Sequence, residues 1–147
     1  MAGNTSALTN RNGGLSMTDP RLQRWLDYAT GDHAPETLLG LLAEDAVFHS
    51  PVVHTPQAGR ERAAAYLRAA DQVFGDANFA YVRTIAAGDN AMLEFTAEID
   101  GVHINGIDII RWNAAGEIAD FKVMVRPLKA INKLWEMMAA QLEKAAS

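Results

Sequence analysis

The 147-residue chain contains no cysteine, which excludes disulfide bonds, thiol nucleophiles and thiolate metal sites. No apolar run approaches the roughly 20 residues that a membrane-spanning helix needs, so we expect no membrane partner. Lysine and arginine are scattered and the formal net charge is −5. A nucleic-acid-binding protein normally carries a basic patch or stripe, so we expect no nucleic-acid partner. The chain start lacks the basic and apolar segments of a signal peptide, and we therefore predict a cytoplasmic location.

The first 17 residues are polar, rich in Asn, Gly and Ser, and have no hydrophobic period. Such a segment buries too little apolar surface to fold alone, so we predict a disordered leader over residues 1–17. The remaining residues, 18–147, have the length of one domain and contain no internal repeat. We predict a single domain there.

Helical periodicity dominates the first half of this domain. Thr18 or Asp19 is expected to cap a first helix, because a first-turn proline and an apolar stripe follow. A second helix is predicted over "PETLLGLLA" and a third over "RERAAAYLRAADQVF". Gly75 then suits the left-handed C′ position at the end of the third helix.

The second half changes to strand patterns and then returns to a helix. "FAYVRTIAA", "AMLEFTAEI", "VHINGIDIIRW" and "IADFKVMV" are rich in β-branched and aromatic residues and are separated by turn sequences. "LKAINKLWEMMAAQLEKAA" closes the chain with an apolar helical stripe, and "AVFHSP" adds a short earlier strand. The pattern predicts an α+β domain in which helices cover one face of an antiparallel meander.

Asp108 stands in the most apolar of these strands, where a charged side chain is out of place. A two-residue period puts Asp108 on one face with Ile104, Ile110 and Trp112. The other face then carries His103, Asn105, Ile107, Ile109 and Arg111. Apolar residues on both faces indicate that both are covered. A carboxylate there is either a structural ion pair or hydrogen bond, or a pocket acid whose pKa is raised by its apolar surroundings.

Phe95 and Phe121 are expected to share the face of Asp108 on the neighbouring strands. A cavity with mostly apolar walls and one carboxyl group has the usual profile of a small-molecule site. For Trp25 and Tyr28 on the first helix, packing in the core is the competing interpretation. The full set that we expect to bind a substrate is Trp25, Tyr28, Phe48, Ser50, Tyr66, Phe95, Ile110, Trp112 and Phe121.

His49 and His54 flank the proline of "FHSPVVH", and a histidine can act as an acid or base near neutral pH. Strand alternation directs His49 away from Phe48 and Ser50, whereas His54 lies in the following loop. We therefore take His54 as a candidate catalytic base, with a solvated or capping histidine as the alternative. The histidines lack the spacing of metal ligands, and we expect neither a metal nor a cofactor.

The order of elements also carries a family resemblance. "EDAVFHSPVV" leading through "PQAGRE" into a helix, with "GIDIIRWNAAGEIADFKV" near the end, resembles the nuclear transport factor 2-like superfamily over about residues 20 to 127. It looks closest to the SnoaL-like and ketosteroid-isomerase-like branch. The resemblance implies a cone-shaped curved sheet wrapped by helices, a small-molecule pocket at its mouth, and a homodimer.

Single residues carry this resemblance unevenly. "IDIIRWN" matches the isomerase segment whose aspartate is a protonated oxyanion-hole acid, which implies that role for Asp108. The isomerase base is an aspartate before a proline, and Ser50 occupies that place here. At the position of the oxyanion tyrosine the chain offers Arg24, Trp25 and, one turn later, Tyr28. The sequence also lacks the Arg-x-Asp pair of limonene epoxide hydrolases and the Trp-x-x-x-Asp ending of many SnoaL-type cyclases.

Three functions are consistent with these observations. The first is a cofactor-free isomerase or cyclase acting on an apolar carbonyl compound, polyketide- or steroid-like, with Asp108 as acid and His54 as base. The second is a protein that binds a small ligand without turnover, and the third is a dimeric scaffold with a vestigial pocket. The uncovered apolar face around Ile107 and Ile109 predicts a homodimer through the sheet, with Arg111 towards its rim.

Overall fold

A computed structural model of the chain describes residues 8–9, 15–16 and 19–146. The elements in chain order are β1 (Leu8–Thr9), β2 (Leu15–Ser16), α1 (Pro20–Ala29), α2 (Pro35–Leu41), β3 (Leu42–His49), β4 (Gln57–Ala58), α3 (Arg60–Phe74), β5 (Ala80–Ala87), β6 (Asn90–Ile99), β7 (Val102–Trp112), β8 (Ile118–Arg126) and α4 (Leu128–Ala146). The predicted α+β class and the order of helices and strands are confirmed. Within the described ranges, no helix is long and apolar enough to cross a membrane.

The predicted leader is only partly described. Strands β1 and β2 pair antiparallel as an isolated two-stranded sheet. The rest of residues 1–17 lies outside the described residues, so the leader stays a prediction.

The sequence sets the helix boundaries by capping and by proline. The carboxylate of Asp19 accepts a hydrogen bond from the backbone N–H of Arg21 at 2.8 Å, and Pro20 begins α1, as the pattern predicts. Helix α2 ends at Leu41, two residues before the predicted end, because β3 begins at the next residue. The prediction for Gly75 is wrong: its φ is −55°, and Asn78, with φ 54°, makes the left-handed turn towards β5.

The main sheet has the strand order β4-β3-β8-β7-β6-β5. Strands β5 to β8 form the predicted antiparallel meander. Strand β3 runs parallel to β8, so the sheet is mixed rather than wholly antiparallel. The chain enters β3 from α2 and reaches β8 only after α3 and the meander, a long crossover that permits parallel pairing.

Register shifts bend this sheet into the predicted curve. One shift lies in β3, one between β7 and β8, and one in β5. In β5, Tyr81 pairs with Phe95, and Arg83, two residues later, pairs with the adjacent residue of β6, Glu94. Val82 is therefore the extra residue of a β-bulge. Bulges increase local twist and redirect side chains. The bulge puts Tyr81 on the inner face and Arg83 on the outer face, although strict alternation would place them together.

The two faces of the sheet differ in cover. Helices α3 and α4 pack on the inner face, and Asp108 is buried there together with Ile104, Ile110 and Trp112. The outer face is open and keeps an apolar centre. Four of its large side chains are more than two-fifths exposed: Val82, Ile85, Met92 and Met124.

Candidate functional site

A cavity of about 550 Å³ lies between the inner face of the sheet and the helices. Aromatic rings from different elements form its wall, because strand alternation turns them inward and α1 closes over them. The ring centroids of Trp25 and Phe121 are 4.9 Å apart, and those of Phe79 and Phe95 are 5.0 Å apart. The volume falls within the range of small-molecule sites.

Asp108 lines this cavity and is its most deeply buried polar group, with 6% of its surface exposed. The hydroxyl of Tyr81 donates a hydrogen bond to Oδ2 of Asp108 at 2.6 Å. Loss of water raises the pKa of Asp108 from its ordinary value of 3.8 to about 7, and the bond from Tyr81 opposes this rise. The carboxyl group is therefore substantially protonated at neutral pH, as the apolar strand pattern predicts.

Trp25 fixes the direction of the hydrogen bonds around Asp108. An indole N–H can only donate, and Nε1 of Trp25 lies 3.1 Å from the hydroxyl oxygen of Tyr81. The single hydroxyl hydrogen of Tyr81 is then directed to Oδ2 of Asp108. In the neutral acid the remaining proton sits on Oδ1, which does not take part in this chain.

A second carboxyl group, that of Asp71 on α3, also lines the cavity. The hydroxyl of Tyr28 donates a short hydrogen bond to Oδ2 of Asp71. Burial raises the pKa of Asp71, and the bond from Tyr28, the nearby His33 and Arg68 act in the opposite direction. His33 lines the cavity as well, and its ring meets that of Tyr28 edge-on at 5.6 Å.

Helix α1 positions both carboxyl groups. Trp25 and Tyr28 are three residues apart, so they project from the same side of the helix, and their ring centroids are 5.4 Å apart. Trp25 supports Asp108 through Tyr81, whereas Tyr28 contacts Asp71 directly. Burial and the hydrogen-bonded Asp108 raise the pKa of Tyr81, and the negative charge of Asp71 adds to this rise, so both carboxyl groups act on the same hydroxyl.

The structure brings six of the residues predicted from sequence to the cavity and leaves five elsewhere. Those that line it are Asp108, Trp25, Phe48, Ser50, Phe95 and Phe121. Tyr28, Ile110 and Trp112 are buried core residues outside the lining, and Tyr66 packs beside Phe48 with centroids 5.5 Å apart. The exposed His54 does not line the cavity.

The region around Pro51 contains no base directed at Asp108. Oγ of Ser50 accepts hydrogen bonds from the backbone N–H groups of Val52 and Val53, at 3.0 and 3.2 Å. Ser50 therefore forms the turn after β3. His54 instead borders a separate depression with His49 and residues of β8, in which Asp108 takes no part.

The cavity is acidic. Asp71, Asp76 and Asp108 line it, and none of the described lining residues is a lysine or arginine. Within the described part of the chain, no group of three His, Cys, Asp or Glu side chains is arranged to hold a metal ion.

Two central residues, Tyr81 and Asp71, were missed by sequence reasoning. The segment of Tyr81 is predicted as a strand, but the bulge at Val82 interrupts the alternation of side chains. The sequence therefore does not show which face of the sheet Tyr81 lies on. Asp71 lies beside the apolar stripe of α3, and the helical pattern predicts only the apolar members of that stripe. The signal that could have found it is its position between Ala70 and Val73, since a carboxylate one residue from a buried stripe lies at its border.

Comparisons with known proteins agree with the architecture. The family model of the SnoaL-like domain matches residues 22–121. A steroid delta-isomerase from Pseudomonas aeruginosa is 36% identical, with a TM-score of 0.80, and the match covers 86% of this chain and 91% of that one. A protein with a cystatin-like fold from Silicibacter pomeroyi is 34% identical, with a TM-score of 0.75 and coverage of 83% and 84%.

A nuclear transport factor 2-like protein from Mesorhizobium loti is 25% identical, with a TM-score of 0.62 and coverage of 73% of this chain and 88% of that one. The comparison with curated proteins found no match. The predicted resemblance and the predicted cone-shaped fold are confirmed.

Proposed function

This chain belongs to the SnoaL-like domain family, and from that premise we propose that it is a cofactor-independent isomerase or cyclase acting on an apolar carbonyl compound. The single observation that carries the proposal is the carboxyl group of Asp108, buried among the aromatic rings of the cavity wall, where loss of water raises its pKa to about 7. A neutral acid in such a place can donate a hydrogen bond to a carbonyl oxygen. Ketosteroid isomerases use this chemistry, with a carboxylic acid that an apolar site keeps neutral.

The hydrogen-bond chain prepares Asp108 for this task. Tyr81 occupies Oδ2, so the acidic proton on Oδ1 is available to a ligand. When a carbonyl compound loses a proton from the adjacent carbon, negative charge develops on its oxygen. A donor already fixed at that oxygen stabilises the transition state more than the ground state, because the hydrogen bond strengthens as negative charge develops on the oxygen and no solvent has to reorganise.

The lining indicates the class of ligand. Its rings and aliphatic side chains favour a flat, apolar skeleton, and the volume of about 550 Å³ suits several fused or linked rings. No described lining residue is a lysine or arginine that could neutralise a carboxylate or phosphate, whereas the carboxylates of Asp71 and Asp76 would repel one. We therefore expect a neutral ketone. The similarity to a steroid delta-isomerase makes an unsaturated steroid ketone the first substrate to assay.

A paired-ligand experiment tests the role of Asp108. Affinities are measured for an unsaturated steroid ketone and for the same skeleton without the carbonyl oxygen, with the wild-type protein, Asp108→Asn and Asp108→Leu. The wild-type protein should prefer the ketone by about tenfold, equivalent to roughly 1.4 kcal/mol for one hydrogen bond in a dry site. Asp108→Asn keeps a donor and should retain most of this preference, whereas Asp108→Leu should lose it. If the wild-type protein and Asp108→Leu preferred the ketone equally, Asp108 would not bind the carbonyl oxygen.

A binding protein without turnover is the second candidate. The turn-forming hydrogen bonds of Ser50 favour it, because they leave no base at the position where the isomerases carry one. Solvent-deuterium exchange at the carbon next to the carbonyl separates the two functions. Wild-type protein that binds the ketone without accelerating exchange is a binding protein. The open volume of the cavity disfavours the third candidate, a scaffold with a filled pocket.

A further inference from the structure

Asp71 is a half-buried carboxyl group of the cavity that the proposed role of Asp108 leaves without a function. Helix α3 supplies Asp71, whereas the sheet supplies Asp108, and Tyr28 binds only Oδ2 of Asp71. Oδ1 is outside that bond. An apolar side chain at position 71 would stabilise the fold more than a carboxyl group does, because burying a carboxyl group is costly. Stability alone therefore does not explain an aspartate at this position.

We propose that Asp71 is the general base of the cavity and takes the proton from the carbon next to the ligand carbonyl, while Asp108 holds the carbonyl oxygen. This inference rests on the proposed function. It replaces His54, which lies away from the cavity, and it supplies the group that Ser50 does not provide.

The surroundings of Asp71 suit a base. The groups that act on it are Tyr28 and His33 on the α1 side and Arg68 one turn earlier on α3. Tyr28 and the two basic side chains favour the carboxylate, whereas burial raises its pKa and so strengthens it as a proton acceptor. Asp76 and His33 also line the cavity, but Asp76 is exposed. Nε2 of His33 donates to the carbonyl oxygen of Ala29 at 2.7 Å, so only Nδ1 of that ring can accept a proton, and an Asp71→Asn variant that keeps its activity would move the role of base to that nitrogen.

The proposed isomerisation balances in protons and electrons without a co-reactant. Oδ1 of Asp71 accepts the proton as the C–H bond breaks, and the electron pair moves towards the carbonyl oxygen, where the hydrogen bond from Asp108 stabilises the enolate. When the pair returns, Asp71 delivers the same proton to the carbon at the far end of the conjugated system. The double bond has then moved, and both carboxyl groups are back in their initial states.

The test compares Asp71→Asn with Asp45→Asn in the isomerisation and deuterium-exchange assays with an unsaturated steroid ketone. Asn can still accept the bond from Tyr28 but cannot take up a proton. Asp71→Asn should lower kcat by about 100-fold or more, the usual contribution of a general base, with the ligand Kd changed by less than about threefold. Asp45 is exposed on β3 outside the cavity, so Asp45→Asn should behave as wild type.

The outcomes separate this inference from the proposed function. An active wild-type protein whose Asp71→Asn variant keeps kcat within a few-fold overturns the base assignment and leaves the isomerase proposal standing. Wild-type protein that neither isomerises the ketone nor exchanges its protons overturns both.

Tyr28→Phe provides an independent reading if Asp71→Asn does not fold. Tyr28 is a positioning residue that lowers the pKa of Asp71. Its removal should therefore move the acidic limb of the kcat/KM profile to higher pH, while the basic limb, set by Asp108, stays in place. A merely structural Tyr28 would lower activity evenly across pH, and that result would contradict the inference.

Discussion

Two opposing effects meet at the carboxyl group of Asp108. Burial among apolar side chains disfavours its charge, and the hydrogen bond from Tyr81 favours it. Burial is the larger effect, because one hydrogen bond cannot replace the full hydration of a carboxylate. The group therefore stays protonated well above the pH at which an aspartate in solution ionises, and it carries a hydrogen-bond donor into the cavity.

The same balance makes the stability of the protein depend on pH. In the unfolded chain Asp108 releases its proton near 3.8, whereas in the folded protein it does so near 7. Its contribution to stability is full below 3.8 and is lost as pH rises towards 7, since the unfolded state ionises first. The pKa difference corresponds to a loss of roughly 4 kcal/mol in the free energy of unfolding.

We predict that Asp108→Asn removes this pH dependence. Relative to wild type, the variant should gain stability as the pH rises from about 4 to about 8, as measured by urea unfolding at a series of pH values. The exposed Asp45→Asn variant is the control and should follow the wild-type curve. Parallel stability curves for the wild-type protein and Asp108→Asn would show that Asp108 has the same pKa in the folded and the unfolded state.

The sequence predicted the position of Asp108 but not its partner. Alternation along β7 was sufficient to place it on the inner face, because the strand is regular and its inward neighbours are apolar. Tyr81 depends on the bulge at Val82, and a bulge leaves no periodic signal. His54 was predicted near the cavity from its loop, and the turn formed by Ser50 directs the chain elsewhere.

At the scale of elements, β6 and β7 approach closely through a glycine. Gly106 pairs with Phe95, and the ring of Phe95 covers the space where a Cβ atom would lie. Such an atom would be 2.7 Å from Cε2 of Phe95 and 2.9 Å from the backbone oxygen of Met124. The missing side chain thus lets an aromatic wall of the cavity lie flat on the sheet.

We predict that Gly106→Ala lowers the free energy of unfolding by about 1–3 kcal/mol, the typical cost of overpacking. Gly40→Ala is the matched control. Gly40 lies within α2, and a methyl group added there would meet no neighbouring atom within 4 Å. That change should raise stability by up to about 1 kcal/mol, because alanine is the better helix former. Chemical denaturation measures both, and an unchanged Gly106→Ala variant would contradict the packing account.

The elements themselves were largely predictable, since period and turn residues agree along most of the chain. Strand β7 and helix α4 have the predicted bounds. The parallel pairing of β3 with β8 could not be predicted, because it joins segments far apart in the sequence, such as Phe48 and Phe121, and leaves no local pattern. The end of α2 was also missed, since "LLGLLA" continues a helical stripe into the first residues of a strand.

At the scale of the whole molecule, the outer face of the sheet keeps exposed apolar side chains. Ile85 and Met124 are 58% and 52% exposed, and Ile107 and Ile109 lie between them. Monomers seldom keep an apolar patch of this kind. We propose that a second copy of the chain covers it through a two-fold interface, with Arg111 towards the rim.

We predict that Ile107→Lys converts this dimer to a monomer, because burying an unpaired charge in an apolar interface is costly. Light scattering at micromolar concentration gives the mass. Leu128→Lys, at the 72% exposed start of α4, is the control and should leave the dimer intact. A monomeric wild-type protein would refute the dimer, and a dimeric Ile107→Lys variant would place the interface elsewhere.

The account depends above all on a neutral carboxyl group in the cavity, and a carbon-detected NMR titration of the Asp108 side chain measures it directly. The carboxyl carbon shift is followed from acid to mild alkaline pH, with Asp108→Asn identifying the resonance. We predict a midpoint near pH 7, the value to which burial raises the pKa of Asp108. A midpoint at or below 3.8, the ordinary value, would mean an ionised structural carboxylate, and the proposed acid would be contradicted.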